Sequence, residues 1–105
     1  MNKPLVSVVM CNYNTKEEYL RSAIESVLRQ TYGHFEFIIV DDASTGNDVE
    51  VIRSYRDPRI ILLQNERNRR TAYSANRGLA LAKGEYIARM DADDIALPYR
   101  LEKQV

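Results

Sequence analysis

The sequence predicts an α/β domain, a three-layer sandwich around a mostly parallel sheet of strand order 3-2-1-4. Three observations carry that prediction. Four short apolar runs recur along the 105 residues, and the near-continuous apolarity of the first two, LVSVVMC and FEFIIV, marks strands covered on both faces. Successive runs are separated by segments long enough for a helical crossover, and right-handed crossovers leave all four strands pointing the same way. Two of the runs end abruptly in carboxylates, at Asp41-Asp42 and at Asp91-Ala92-Asp93-Asp94. A winding that runs one way and then crosses over sets the fourth strand beside the first, where ligands bind in open α/β sheets.

Strand 1 covers residues 5–11 (LVSVVMC), after Pro4. Asn12-Tyr13-Asn14 turns the chain, and Thr15 with Glu18 three residues on matches a capping box for helix 1, over about 16–30. Leu20, Ala23, Ile24, Val27 and Leu28 give this helix one apolar face. Gly33 breaks it, and strand 2 covers 35–40 (FEFIIV), running into Asp41-Asp42. After the turn Ser44-Thr45-Gly46-Asn47, Asp48 caps a short helix carrying Val49, Ile52 and Tyr55, closed by Pro58. Strand 3 covers 59–63 (RIILL), and 64–70 is a loop rich in Asn and Arg. Helix 3 spans about 71–83, with Ala72, Ala75, Asn76, Leu79 and Ala82 inward and Gly84 as a left-handed terminator. Gly78 inside it costs about 1 kcal/mol relative to Ala, so it marks close packing. Strand 4 covers 85–90, and Pro98 opens a last helix.

The C-terminal ends of parallel strands lie along one edge. Residues 11–14, Asp41-Asp42, Gln64-Asn65 and 91–94 therefore share a crevice, and five of the fifteen acids gather there. Two carboxylates ~5 Å apart repel by roughly 3 kcal/mol at an effective dielectric of ~20. A rim that collects them has a cation to hold, and a hard divalent ion with oxygen ligands is the natural candidate. For either acidic end alone a solvated turn is the plain alternative; two on one edge favour metal or nucleotide binding.

Composition narrows the classes. Fifteen basic residues cancel fifteen acidic ones, and the basic ones are scattered apart from Arg67, Arg69 and Arg70, which leaves no electrostatic footprint for nucleic acid. The single cysteine excludes an internal disulfide and a cysteine-based zinc site, and it fits a reducing compartment. There is no signal peptide and no transmembrane segment, since the apolar runs are too short to span a bilayer, so a soluble, cytoplasmic chain is expected. No GxGxxG follows strand 1 and no GxxxxGK[ST] occurs, which disfavours a dinucleotide-binding domain and a P-loop.

Four motifs carry a resemblance. They are Pro4-x-Val6-Ser7-Val8-Val9-Met10-Cys11-Asn12-Tyr13-Asn14; Ser26-Val27-Leu28-x-Gln30-Thr31-Tyr32; Phe35-Glu36-x-Ile38-Ile39-Val40-Asp41-Asp42-x-Ser44-Thr45; and Asn76-x-Gly78-Leu79-x-x-Ala82-x-Gly84-Glu85-Tyr86-Ile87-x-x-Met90-Asp91-Ala92-Asp93-Asp94. In this order and spacing the chain resembles the family 2 glycosyltransferases of GT-A (Rossmann-like) fold, from Pro4 to Val105.

The resemblance implies a nucleotide-sugar-dependent, inverting transferase whose donor is bound by this half of the fold, a UDP-sugar first, with Mn2+ or Mg2+ as cofactor. Cys11 and Tyr13 match the residues that bracket the base, and Asp42 matches the acid that hydrogen-bonds base or ribose. Asp91 and Asp93 match the DxD, the first reaching ribose or metal and the second holding the metal that bridges the diphosphate. Ala92 between them and Asn76 in helix 3 complete the implied nucleotide-binding set. Arg69 or Arg70 is a candidate diphosphate clamp, with a solvated loop arginine as the alternative.

The chain departs from the family pattern with Asn68-Arg69-Arg70 where Asn-x-Gly is common, and with Ala75 where an Arg often precedes the Asn. Family members continue into an acceptor-binding half that carries the catalytic base. The expectation is therefore that residues 1–105 are a truncated, nucleotide-sugar-binding half, inactive alone, with no catalytic residue assigned and a saccharide or lipid-linked acceptor bound elsewhere. Two other classes stay open: a non-catalytic interaction domain that keeps the scaffold, and a receiver-like signalling domain. The second is disfavoured because its acidic pair belongs at strand 1 and its phosphoacceptor at strand 3, where this chain has Cys-Asn-Tyr-Asn and Gln-Asn.

Overall fold

A computed structural model of the chain describes residues 3–92 and 100–104. The elements are β1 (Val6–Asn12), α1 (Glu17–Leu28), β2 (Phe35–Asp41), α2 (Asp48–Arg53), β3 (Ile60–Gln64), α3 (Arg70–Leu81), β4 (Tyr86–Asp91) and α4 (Arg100–Gln104). The strands form one all-parallel sheet in the expected order β3-β2-β1-β4. Each strand runs one residue further than its apolar run, because the ladder is made by backbone groups and continues under polar side chains while a partner strand is present. Asn12 thus pairs with Asp41, Asp41 with Gln64, and Cys11 with Asp91, which sets the polar strand ends in one row.

The alternation of strand side chains builds two cores. Val6, Val8 and Met10 of β1 and Phe35, Phe37 and Ile39 of β2 pack with Leu20, Ala23, Ile24 and Val27 of α1 and Val51 and Ile52 of α2. Val9, Ile38 and Val40 point to the other face and meet Leu79 of α3 and Ala82 at its C-cap. α3 lies close to the sheet because Gly78 faces it: a Cβ there would stand 2.6 Å from Val9 Cγ1. Leu101 of α4 is buried in the first core, its backbone N–H donates to Gln30 Oε1 (3.0 Å), and Thr31 Oγ1 donates to Glu102 Oε2 (2.6 Å). The Gln30-Thr31 pair thereby docks α4 onto the end of α1.

Several local expectations are corrected. Thr15 and Glu18 form no capping box: Lys16 stands at the N-cap of α1 without a side-chain cap. The Thr15 backbone N–H instead donates to Asp48 Oδ2 (2.9 Å), so the same contact removes Asp48 from the capping role given to it. Gly84 is not a left-handed terminator, since no described glycine has positive φ. It is there for close approach, as a Cβ would lie 2.6 Å from both Ser7 N and Ser7 Oγ. Its N–H donates to Ser7 Oγ (2.7 Å), Ser7 Oγ–H donates to Glu36 Oε2 (2.5 Å), and the Lys83 N–H reaches the same carboxylate oxygen (2.6 Å). Finally, α3 is rotated from its expected face: Ala72 and Asn76 are exposed, whereas Ser74, Ala75 and Gly78 are buried. Small and polar residues carry too little apolar signal to fix the phase of that helix. Pro98 lies outside the described residues.

Candidate functional site

The polar strand ends open onto a crevice of about 530 Å³ at the C-terminal edge of the sheet. Strand alternation sorts its side chains. Asn12 and Asp41 turn toward the α1/α2 side, where Asn12 Nδ2 donates to Asp41 Oδ1 (2.9 Å) and Asp48 Oδ2 (2.8 Å). Those acceptors fix the orientation of the amide, and they leave Asn12 Oδ1 as a buried acceptor without a donor among the described residues. Asp41 also accepts from Ser44 Oγ (2.7 Å) and Ser44 N (3.1 Å), while Asn14 Oδ1 accepts from Thr45 N (2.8 Å). These bonds stitch the β1–α1 and β2–α2 loops together. The left-handed residues of the stitch are Asn14 (φ 47) and Ala43 (φ 60).

Cys11 and Asp42 turn toward α3. Asp42 Oδ1 accepts from Asn65 Nδ2 (2.8 Å) and Arg69 N (2.7 Å), and Oδ2 accepts from Arg70 N (2.8 Å). Successive N–H groups across Arg69 (φ −121, ψ −3) and the left-handed Arg70 (φ 71) make an anion-binding concavity, filled here by the Asp42 carboxylate. Burial pushes this carboxyl up, and the hydrogen bonds from Asn65, Arg69 and Arg70 together outweigh it, holding Asp42 below the ordinary aspartate value. Burial first, and the Asp91 carboxylate next, push the Cys11 thiol above its ordinary value; Arg89 opposes them and Asp42 adds to them. Its Sγ lies 3.9 Å from Thr71 O.

Of the residues expected at the site, Cys11, Tyr13, Asp42, Asp91 and Ala92 all line the crevice. Tyr13 stands half exposed at its mouth. Asn76 does not line it: it is exposed on α3. Asp93 and Asp94 lie outside the described residues. Arg69 turns away from the crevice, its guanidinium over the Tyr73 ring at 5.1 Å, so it is no clamp for a ligand there.

Residues 7–105 match the family model described as Glycosyl transferase family 2. The chain belongs to that family. It is 52% identical to an uncharacterized glycosyltransferase of Methanocaldococcus jannaschii, an alignment covering 99% of this chain and 37% of that protein. It is 39% identical to the UDP-Glc:alpha-D-GlcNAc-diphosphoundecaprenol beta-1,3-glucosyltransferase WfgD of Escherichia coli, covering 100% of this chain and 41% of the relative. The chain therefore spans well under half the length of these curated relatives.

Among solved structures, S. aureus TarS 1-349 in complex with UDP-GlcNAc matches with a TM-score of 0.88 at 27% identity, over 94% of this chain and 29% of that one. The mannosyltransferase PcManGT of Pyrobaculum calidifontis, in complex with GDP-Man and Mn2+, matches with a TM-score of 0.82 at 27% identity, over 94% and 30%.

For this family 2 glycosyltransferase chain, the metal question rests on the donor set. Asp91 supplies hard carboxylate oxygens at the crevice, the ligand type that Mn2+ and Mg2+ take. The described residues hold no group of three or more metal-ligating side chains, and the second DxD acid lies outside them. Sequence reasoning missed Lys16, Tyr19, Thr71 and Ser74 of the crevice wall. Tyr19 had a signal: it is a large aromatic, 52% exposed, standing off the apolar face of α1 with Lys16 Nζ 6.0 Å from its ring centroid.

Proposed function

We propose that this chain is the donor-binding half of a glycosyltransferase, taking a nucleoside diphosphate sugar, a UDP-sugar first, with Mn2+ or Mg2+. The observation that carries the reading is the convergence of Tyr13, Asp42 and Asp91 on one crevice at the β1/β4 switch point. The UDP-GlcNAc complex of TarS and the GDP-Man and Mn2+ complex of PcManGT support it.

In this reading Tyr13 and the Cys11 backbone bracket the base. A carboxylate has about four lone-pair sites, and three of those on Asp42 are taken by the loop, so one remains for a base or ribose donor. Asp91, with Ala92 beside it, meets the ribose or the metal. Asp91 and, by its motif position, Asp93 would hold a divalent ion, which would supply Lewis-acid neutralisation of the charge on a departing nucleoside diphosphate. Asn76 remains in the nucleotide-binding set only through its motif position.

Residues 1–105 are the nucleotide-sugar-binding half. The base for inverting transfer and the saccharide or lipid-linked acceptor site belong to the part of the relatives' length beyond this match. No described helix is long and apolar enough to cross a membrane, and we place the domain in the cytoplasm.

Calorimetric titration of UDP with and without Mn2+ tests the assignment. Asp93→Asn removes the charge that holds a hard cation and flattens the metal dependence of binding; Asp42→Asn lowers affinity at every metal concentration. Binding by the parent chain that is equally tight in chelator, or two variants that behave alike, overturns the reading. The 105-residue chain alone turns over no sugar onto an acceptor, which a transfer assay with labelled UDP-sugars checks.

A further inference from the structure

On the outer side of the β3–α3 loop lies a second concavity, of about 600 Å³, that shares no lining residue with the crevice. Its wall includes Asn65, Glu66, Arg67 and Arg69 from the strand end and loop, and Tyr73 and Arg77 from α3. Three guanidiniums therefore stand against one carboxylate, in a chain with zero net charge.

None of the three forms an ion pair among the described residues, whereas Arg21, Arg29 and Arg59 are each paired. Arg77 is anchored through NH1, which donates to Gln64 O and Asn65 Oδ1, both at 2.8 Å; no other hydrogen bond engages this guanidinium among the described residues. Arg69 lies over the ring of Tyr73, which is 48% exposed.

We propose that this concavity is a binding site for a small phosphate-bearing anion, separate from the crevice. A guanidinium fork matches phosphate oxygens in pairs, and one already oriented by the protein loses little freedom on binding. The volume falls within the roughly 300–1,000 Å³ of small-molecule sites. A concave wall admits a small ligand where a flat surface cannot follow, and Arg69, stacked over the Tyr73 ring, stands at that wall. The site does not depend on the crevice being a donor site.

The test is calorimetric titration of inorganic pyrophosphate into the full chain in chelator, which silences metal-dependent binding in the crevice. Saturable binding of one equivalent is expected, weakened roughly tenfold or more in Arg67→Gln through loss of charge-assisted hydrogen bonds. Arg67 makes no hydrogen bond or ion pair to the described residues, so this variant keeps its fold, which circular dichroism checks. Arg77→Gln gives a loss at least as large. Arg53→Gln, which removes the same charge on α2, leaves affinity unchanged. The proposal is overturned by absence of saturation at millimolar pyrophosphate or by equal weakening in Arg53→Gln. It is also overturned if the chain ignores pyrophosphate yet sediments with phosphatidylglycerol vesicles in an Arg67-dependent way, which would make the patch a lipid-headgroup surface.

Discussion

At position 70 an arginine holds a left-handed backbone (φ 71), a region that costs a non-glycine residue roughly 1–2 kcal/mol. It is kept there because its N–H and that of Arg69 converge on Asp42. The departure from Asn-x-Gly is legible in the sequence. Its consequence is not, since strain depends on φ. Arg70→Gly relaxes the backbone but frees the unfolded chain by about 0.5–1 kcal/mol. The net expectation is a gain of about 0.5–1 kcal/mol, read as a higher urea midpoint at unchanged m-value. Asp42→Asn sets an NH2 against a backbone N–H and loses charge-assisted bonds, so a loss of about 1–3 kcal/mol is expected in the same experiment. That Asp42 lines the crevice could be read from its strand end. Its three loop donors could not, because they arrive from residues 23 to 28 positions away.

At the scale of elements, the strands were more legible than the helix ends. A buried parallel strand writes itself as an apolar run, while helix termini are decided by tertiary competition, as when Asp48 captures the Thr15 N–H. α3 shows the same limit in its phase and, through its glycines, a testable consequence. Gly78→Ala gains about 1 kcal/mol of helix propensity, but it drives a methyl to 2.6 Å from Val9 Cγ1 in a close-packed layer. Overpacking costs roughly 1–3 kcal/mol, so a net loss of up to about 2 kcal/mol is expected by denaturant unfolding. Gly84→Ala meets backbone that cannot yield, Ser7 N at 2.6 Å and Leu5 O at 2.8 Å, and is expected to cost more than Gly78→Ala.

For the molecule as a whole, the strand order follows from crossover handedness and the placement of acidic strand ends, both of which are legible in the sequence. The two-sided core followed from alternation. The second concavity was invisible, because its arginines are brought together by the loop and by the phase of α3 rather than by spacing.

The clasp of three donors on Asp42 also sets how the domain responds to acid. Its folded-state carboxyl sits below the unfolded value of about 3.9. Its contribution to stability is therefore complete above that value and disappears as pH falls through the lower, folded one. Asp57, held down chiefly by the hydrogen bond from Arg59, moves the same way. Urea midpoints are thus expected to hold steady from neutrality to about pH 5 and to fall below about pH 4, with a shallower fall in Asp42→Asn. Protonation there weakens the hold on the Arg69 and Arg70 N–H groups at once, so acid loosens the loop that walls the second concavity.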